Sequence, residues 1–128
     1  MLDETILNLP IRLRRNRKSE AIRKMVQETH LTAADFIVPI FIIDGEKRSV
    51  PIPSMPGVER VSIDVAIKQA KELNGRGIQS IALFAVIEAH LRNDEASEAC
   101  NPNGLLARAV REMKFALPNL CIMADVAL

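Results

Sequence analysis

Aromatic residues make up only 3% of this 128-residue sequence, four Phe with no Trp and no Tyr. A core must therefore come from Ile, Leu, Val, Ala and Met. The aromatics on which single-strand nucleic-acid binders stack bases are also missing. Cysteine is nearly absent: Cys100 and Cys121 stand far apart with no C-x-x-C, which argues against a disulfide framework or a structural zinc site. His30 and His90 are the only histidines, and nothing near them completes a ligand set, so no metal site made from this chain alone is expected. The longest strongly apolar run, Phe36 to Ile43, is too short to span a bilayer. Asp3 and Glu4 at the start do not fit a signal peptide. The expectation is a cytoplasmic protein without membrane contact.

What is present is ordinary globular composition, 48% hydrophobic and 26% charged, with 17 Lys and Arg against 16 Asp and Glu. Length and composition fit about one domain and exclude global disorder or a collagen-like chain. The charge is uneven. Residues 1–30 hold seven basic and four acidic residues, while the remainder has a slight acidic excess, so the basic stretch reads as an arm. Clustered Arg can neutralise phosphates, but Leu7, Leu9, Ile11 and Leu13 alternate through the same stretch and call for a protein surface. An arm on a neighbouring subunit, with Arg12, Arg14 and Arg15 pairing to its carboxylates, fits better than nucleic acid or a merely solvated charged face.

Beyond the arm, Ser19 is placed to cap a short helix with Ile22, Met25 and Val26 on one face. Phe36 to Ile43 reads as a buried parallel strand, in which Pro39 implies a bulge or a strand end. A long Pro-rich loop follows through Pro51, Pro53 and Pro56. Ser62 opens a helix with Ile63, Ala66, Ile67, Ala70 and Leu73 on one stripe. Gly75 and Gly77 end it. Ile78 to Ile87 is the second strand. After a polar loop, Asn101-Pro102 reads as the cap and first turn of a helix carrying Leu106, Ala109, Val110, Met113 and Leu117. Leu120 to Leu128 is the third strand.

The pattern is β-α-β-α-β, an α/β arrangement with parallel strands. Both strand-to-helix loops are long and both helix-to-strand turns are short. An active face would therefore carry residues 44–61 and 88–101, after the carboxyl ends of the strands. Three strands are few for a parallel sheet, and a complete (β/α)8 barrel needs about 250 residues. The expected architecture is an N-terminal arm followed by the first three strands and two helices of a TIM barrel, cut short in this chain. The expected boundaries are 1–33 for the arm and 34–128 for the truncated barrel.

No Gly-rich phosphate loop, G-x-S-x-G elbow or Cys/His pair is present. No lysine lies in an apolar strand, where desolvation would make it a Schiff-base nucleophile. Asp125 stands out because it falls within an apolar strand, where an unpaired carboxylate is costly. It either caps the next helix or pairs with an Arg, or it projects toward the active face to orient an ammonium group or move a proton. Phe84, on the second strand, is core or a wall of the substrate pocket.

Several motifs in order resemble porphobilinogen synthase, the 5-aminolevulinate dehydratase family. They are Leu13-Arg14-Arg15-Asn16, the strand from Phe36 to Phe41, and Ser54-Met55-Pro56-Gly57 followed by Arg60, Ser62 and Asp64. Ala82-Leu83-Phe84, Asn101 to Leu105, and Asp125-Val126-Ala127-Leu128 continue the series. The resemblance covers nearly the whole chain from the arm onward.

It implies a TIM-barrel body, an arm that embraces a neighbouring subunit, typically in octamers, and condensation of two 5-aminolevulinate molecules to porphobilinogen with loss of water. It also implies that the two Schiff-base lysines lie beyond this sequence, that the chain alone is inactive, and that Asp125 matches an active-site aspartate. Ala127 stands where zinc-dependent members carry a cysteine, so no active-site zinc is expected; magnesium is admissible at a site outside this segment. The rival reading is a small non-catalytic α/β module whose basic arm binds an acidic protein partner.

Overall fold

The computed structural model describes residues 14–126, so Arg12 and Ala127 lie outside the described residues. The chain divides between Leu31 and Thr32 into two units.

In the first unit, a 3-10 turn at Arg15–Arg17 precedes α1 (Glu20–Met25). The Ser19 hydroxyl accepts the Ile22 N–H at 3.3 Å, which caps α1 as the sequence predicts. Lys24 pairs with Glu20 one turn earlier at 2.7 Å. No residue of α1 is buried, and Met25 is 85% exposed.

The second unit is one sheet with two long helices. The strands are β1 (Ile37–Ile42), β2 (Ser49–Pro51), β3 (Glu59–Val61), β4 (Ser80–Ala85) and β5 (Cys121–Ala124), in the order β2-β3-β1-β4-β5. β4 lies parallel to both β1 and β5, which are the three expected strands. The presumed Pro-rich loop is corrected: it folds into β2 and β3, an antiparallel pair, and β3 adds to β1 in parallel. Three-residue strands show no periodicity in sequence, and Pro51 ends β2 opposite Glu59.

The expectation of a bulge or strand end at Pro39 is also corrected, because it pairs in register with Ala82 inside β1. The Ile42 carbonyl accepts from Val86 on the β4 side, and the Ile43 N–H donates to Val61 on the β3 side. Strand alternation therefore turns the Pro39 nitrogen toward the β3 side. β3 first pairs with β1 at Phe41, so no ladder bond is lost there.

Helix α2 (Ile63–Gly75) links β3 to β4, and α3 (Leu105–Ala116) links β4 to β5. Ile63, Ala66 and Ala70 of α2 and Leu105, Ala109 and Met113 of α3 are buried with Ile40, Ile42, Ile81 and Leu83 of the sheet. Both helices thus cover the same face. The α3 start is corrected by three residues: Asn101 Oδ1 accepts the Asn103 N–H at 2.9 Å in a turn, and Gly104 is the N-cap.

Candidate functional site

The carboxyl ends of β1, β4 and β5 lie side by side, and the long loops leave from them. The first loop is held in place by side chains. Asp44 Oδ1 accepts from Arg108 Nη2 of α3 at 2.9 Å and from the Gly45 N–H at 2.9 Å. Arg48 Nη1 donates to the Asp44 carbonyl at 2.9 Å. At the start of α2, the buried Ser62 hydroxyl accepts the Arg48 N–H at 2.9 Å and donates to Asp64 Oδ1 at 2.6 Å. Both Asp64 oxygens also receive the Lys47 N–H, at 3.1 and 3.2 Å.

These bonds favour the ionised carboxylates. The Ser62 hydroxyl, then the Lys47 N–H, holds Asp64 below its usual range. The Arg108 guanidinium, then the Gly45 N–H, does the same for Asp44.

The second loop carries 3-10 turns at Ala89–Leu91 and Ser97–Cys100. Asn93 braces it, accepting the Ser97 N–H at 3.0 Å and donating to its hydroxyl at 2.7 Å. Between this loop, α3 and the ends of β4 and β5 lies a cavity of about 640 Å³, lined by Ile87, Leu91, Arg92, Leu105 and Asp125 among others.

Asp125 follows the last residue of β5, and its N–H donates to the Leu83 carbonyl at 3.1 Å. It is exposed. Its placement within a strand, with a desolvation cost, is therefore corrected; the carboxylate is at the strand's carboxyl end and in reach of solvent. Phe84 is half-buried on the face opposite the core, where its ring stacks on Phe41 with centroids 5.4 Å apart. Arg14 and Arg15 are exposed in the first unit.

The structure thus brings Asp125 and Phe84 to one end of the sheet. Asp44, Arg48 and Arg108 were not anticipated from sequence, and Ser62 was anticipated only as the residue that opens α2. The 64-residue separation of Asp44 and Arg108 leaves no local signal, whereas Ser62 followed by Asp64 at a helix start is a legible one.

Among the described residues, no group of three or more His, Cys, Asp or Glu is placed to hold a metal ion. Cys121 sits opposite Ser80 at the end of β5 away from Asp125. All six lysines are exposed. Among the described residues, no helix is long and apolar enough to cross a membrane.

Parallel strands joined by helices that all lie on one face define a singly wound α/β protein. That is the opening of a TIM barrel rather than of a doubly wound sheet, which carries helices on both faces. The chain belongs to the delta-aminolevulinic acid dehydratase family, whose family model matches residues 10–128. It is 49% identical over 122 residues to a delta-aminolevulinic acid dehydratase of Bradyrhizobium diazoefficiens, covering 95% of this chain and 35% of that protein. A Chlamydia pneumoniae dehydratase is 40% identical, with 95% of this chain and 37% of the relative covered. The crystal structure of the Toxoplasma gondii enzyme, in complex with the reaction product porphobilinogen, superposes with a TM-score of 0.86 at 43% identity. That match covers 95% of this chain and 34% of the other. The chain spans about a third of the length of the relatives it matches.

Proposed function

We propose that this sequence is the N-terminal part of a porphobilinogen synthase, which condenses two molecules of 5-aminolevulinate to porphobilinogen with loss of water. The family match over residues 10–128 carries this reading, and it favours a synthase over a non-catalytic interaction module. The porphobilinogen bound to the Toxoplasma gondii relative names the product.

In this reading Asp125 is the carboxylate of the pocket. Its exposed position at the carboxyl end of β5 suits it to orient a substrate ammonium group or to take a proton on a carboxylate oxygen. Phe84 does not line the cavity beside α3; it offers an apolar wall on the opposite face of the sheet. The two Schiff-base lysines are assigned outside this sequence, because all six lysines here are exposed and none sits in an apolar pocket of the kind that activates an amine nucleophile.

The residues present do not fit an active-site zinc. Ala127, where zinc-dependent members of the family carry a cysteine, has no thiolate. No step is routed through zinc, and magnesium is admissible at a site outside this segment. Arg12, Arg14 and Arg15 are assigned to contact with a neighbouring subunit in a homo-oligomer, the octamer of the family. The free, exposed Cys100 and Cys121 suit a reducing compartment, the cytoplasm.

The test is Asp125→Ala in the complete protein that carries this sequence, assayed for porphobilinogen. A fall in kcat of about 10²–10⁴-fold is expected for loss of a positioned acid–base group. Unchanged turnover would remove Asp125 from the mechanism, and a wild-type protein that makes no porphobilinogen would overturn the reading as a whole.

A further inference from the structure

We propose that Phe41 is a positioning residue: by stacking on Phe84 it fixes the apolar wall beside Asp125 against which the substrate's carbon chain lies. This rests on the function proposed above.

Phe41 and Phe84 are register partners on adjacent parallel strands. Their rings are 5.4 Å apart between centroids and 29° apart in plane. Both are half-buried, while the neighbouring Ile42 and Leu83, which point to the helix side, are 0% exposed. The rings therefore belong to the opposite face. On β5, Met123 lies opposite Ala82, and the Asp125 N–H extends the ladder by bonding Leu83. Side-chain alternation carries from Met123 to Asp125 and from Ala82 to Phe84. Phe41, Phe84 and Asp125 thus follow one another across the sheet, on one face and at its carboxyl end.

Among the described residues, Phe41 is the one ring that stacks on Phe84. Ala82, the preceding residue on the same face of β4, is too small to touch much of it. The chain has four phenylalanines; Phe36 precedes β1 and Phe115, on α3, is 93% exposed, so neither belongs to this row. Phe41 is the bulky partner at the level of Phe84. An offset aromatic pair favours particular ring orientations, and a ring so held presents a defined surface to a substrate beside Asp125.

The experiment is a double-mutant cycle in the complete protein, with porphobilinogen formation as the assay. Phe41→Leu is expected to raise KM by about three- to tenfold, the range of one aromatic stacking interaction, with kcat changed less. In a Phe84→Leu background the same substitution is expected to have no further effect on KM. Phe41→Tyr, which keeps the ring, is expected to restore the wild-type KM. An unchanged KM in Phe41→Leu, or an equal rise in both backgrounds, overturns the proposal while leaving the synthase reading intact. An inactive wild-type protein fails the synthase reading first. If Phe41→Leu does not fold, Phe41→Met replaces it; failure of both to fold makes Phe41 a residue of the barrel core and also overturns the proposal.

Discussion

On the helix-bearing face of the sheet, Ile42, Ile81 and Leu83 are 0% exposed beneath α2 and α3, whereas on the reverse face Ile37 and Met123 are 49% and 44% exposed. The same strands supply both sets of side chains, at alternating positions. Strands apolar on both faces require cover on both, yet only one face receives it from the helices of this unit. In a (β/α)8 barrel the reverse face points inward, and the strands that close the barrel cover it. The comparison teaches that apolar character states how much cover a strand requires but not which element supplies it.

Two methionines give the sharpest test of that contrast, and the largest expected effect. Met113 on α3 is 0% exposed and Met123 on β5 is 44% exposed. In urea unfolding of the 128-residue chain, Met113→Ala is expected to cost about 2–5 kcal/mol. Met123→Ala is expected to cost about 0.5 kcal/mol or less, as at a surface position. Equal losses would break the comparison, by showing that the reverse face is covered in solution.

Where the covered face meets the first loop, Ser62 is a buried hydroxyl that ties the Arg48 N–H to Asp64. Ser62→Ala strands that N–H with half its environment closed to water. The expected cost is about 1–2 kcal/mol in the same unfolding measurement. No change would mean that water replaces the hydroxyl, and that the loop is as open as the reverse face.

The smallest effect is a pH dependence. Asp44 and Asp64 have folded-state pKa values lowered by their hydrogen bonds. Their contribution is therefore fully present above the unfolded value of about 4. It is lost as pH falls through the lowered folded-state values. Asp64→Asn is expected to flatten the acid limb of a plot of Tm against pH. Asp35, lowered by its bonds to the Thr32 N–H and hydroxyl, titrates in the same direction in both proteins, so the difference between the two curves isolates Asp64. Superimposable acid limbs would show that the loop clamp adds nothing to stability.

Much of the fold was legible because the two long helices write their burial into a regular stripe. Ile63, Ala66 and Ala70, and likewise Ala109 and Met113, recur at helical spacing and are buried in the structure. The three parallel strands were legible as apolar runs of five or more residues between turn residues. Helix α3 was shifted because Asn101-Pro102-Asn103-Gly104 offers two cap signals in four residues. The Asn101 side chain spends its capacity on a turn, and the helix begins after Gly104. Asp125 was legible as an anomaly, a carboxylate after an apolar run, but its exposure was not, because the end of β5 depends on where pairing with β4 stops.

The sequence by itself determined the order β1, α2, β4, α3, β5, the stripe that α2 and α3 bury, and the family, through motifs spread along nearly the whole chain. Each of these rests on local spacing, in which neighbouring residues constrain one another directly. Only the tertiary structure decided that both helices cover one face, that residues 49–61 form a hairpin which extends the sheet, and that Phe41 meets Phe84. It also brought Asp44 to Arg108 across 64 residues. Those outcomes depend on strand register and on pairing between distant segments, which form only when the chain closes on itself and leave no periodic trace along it.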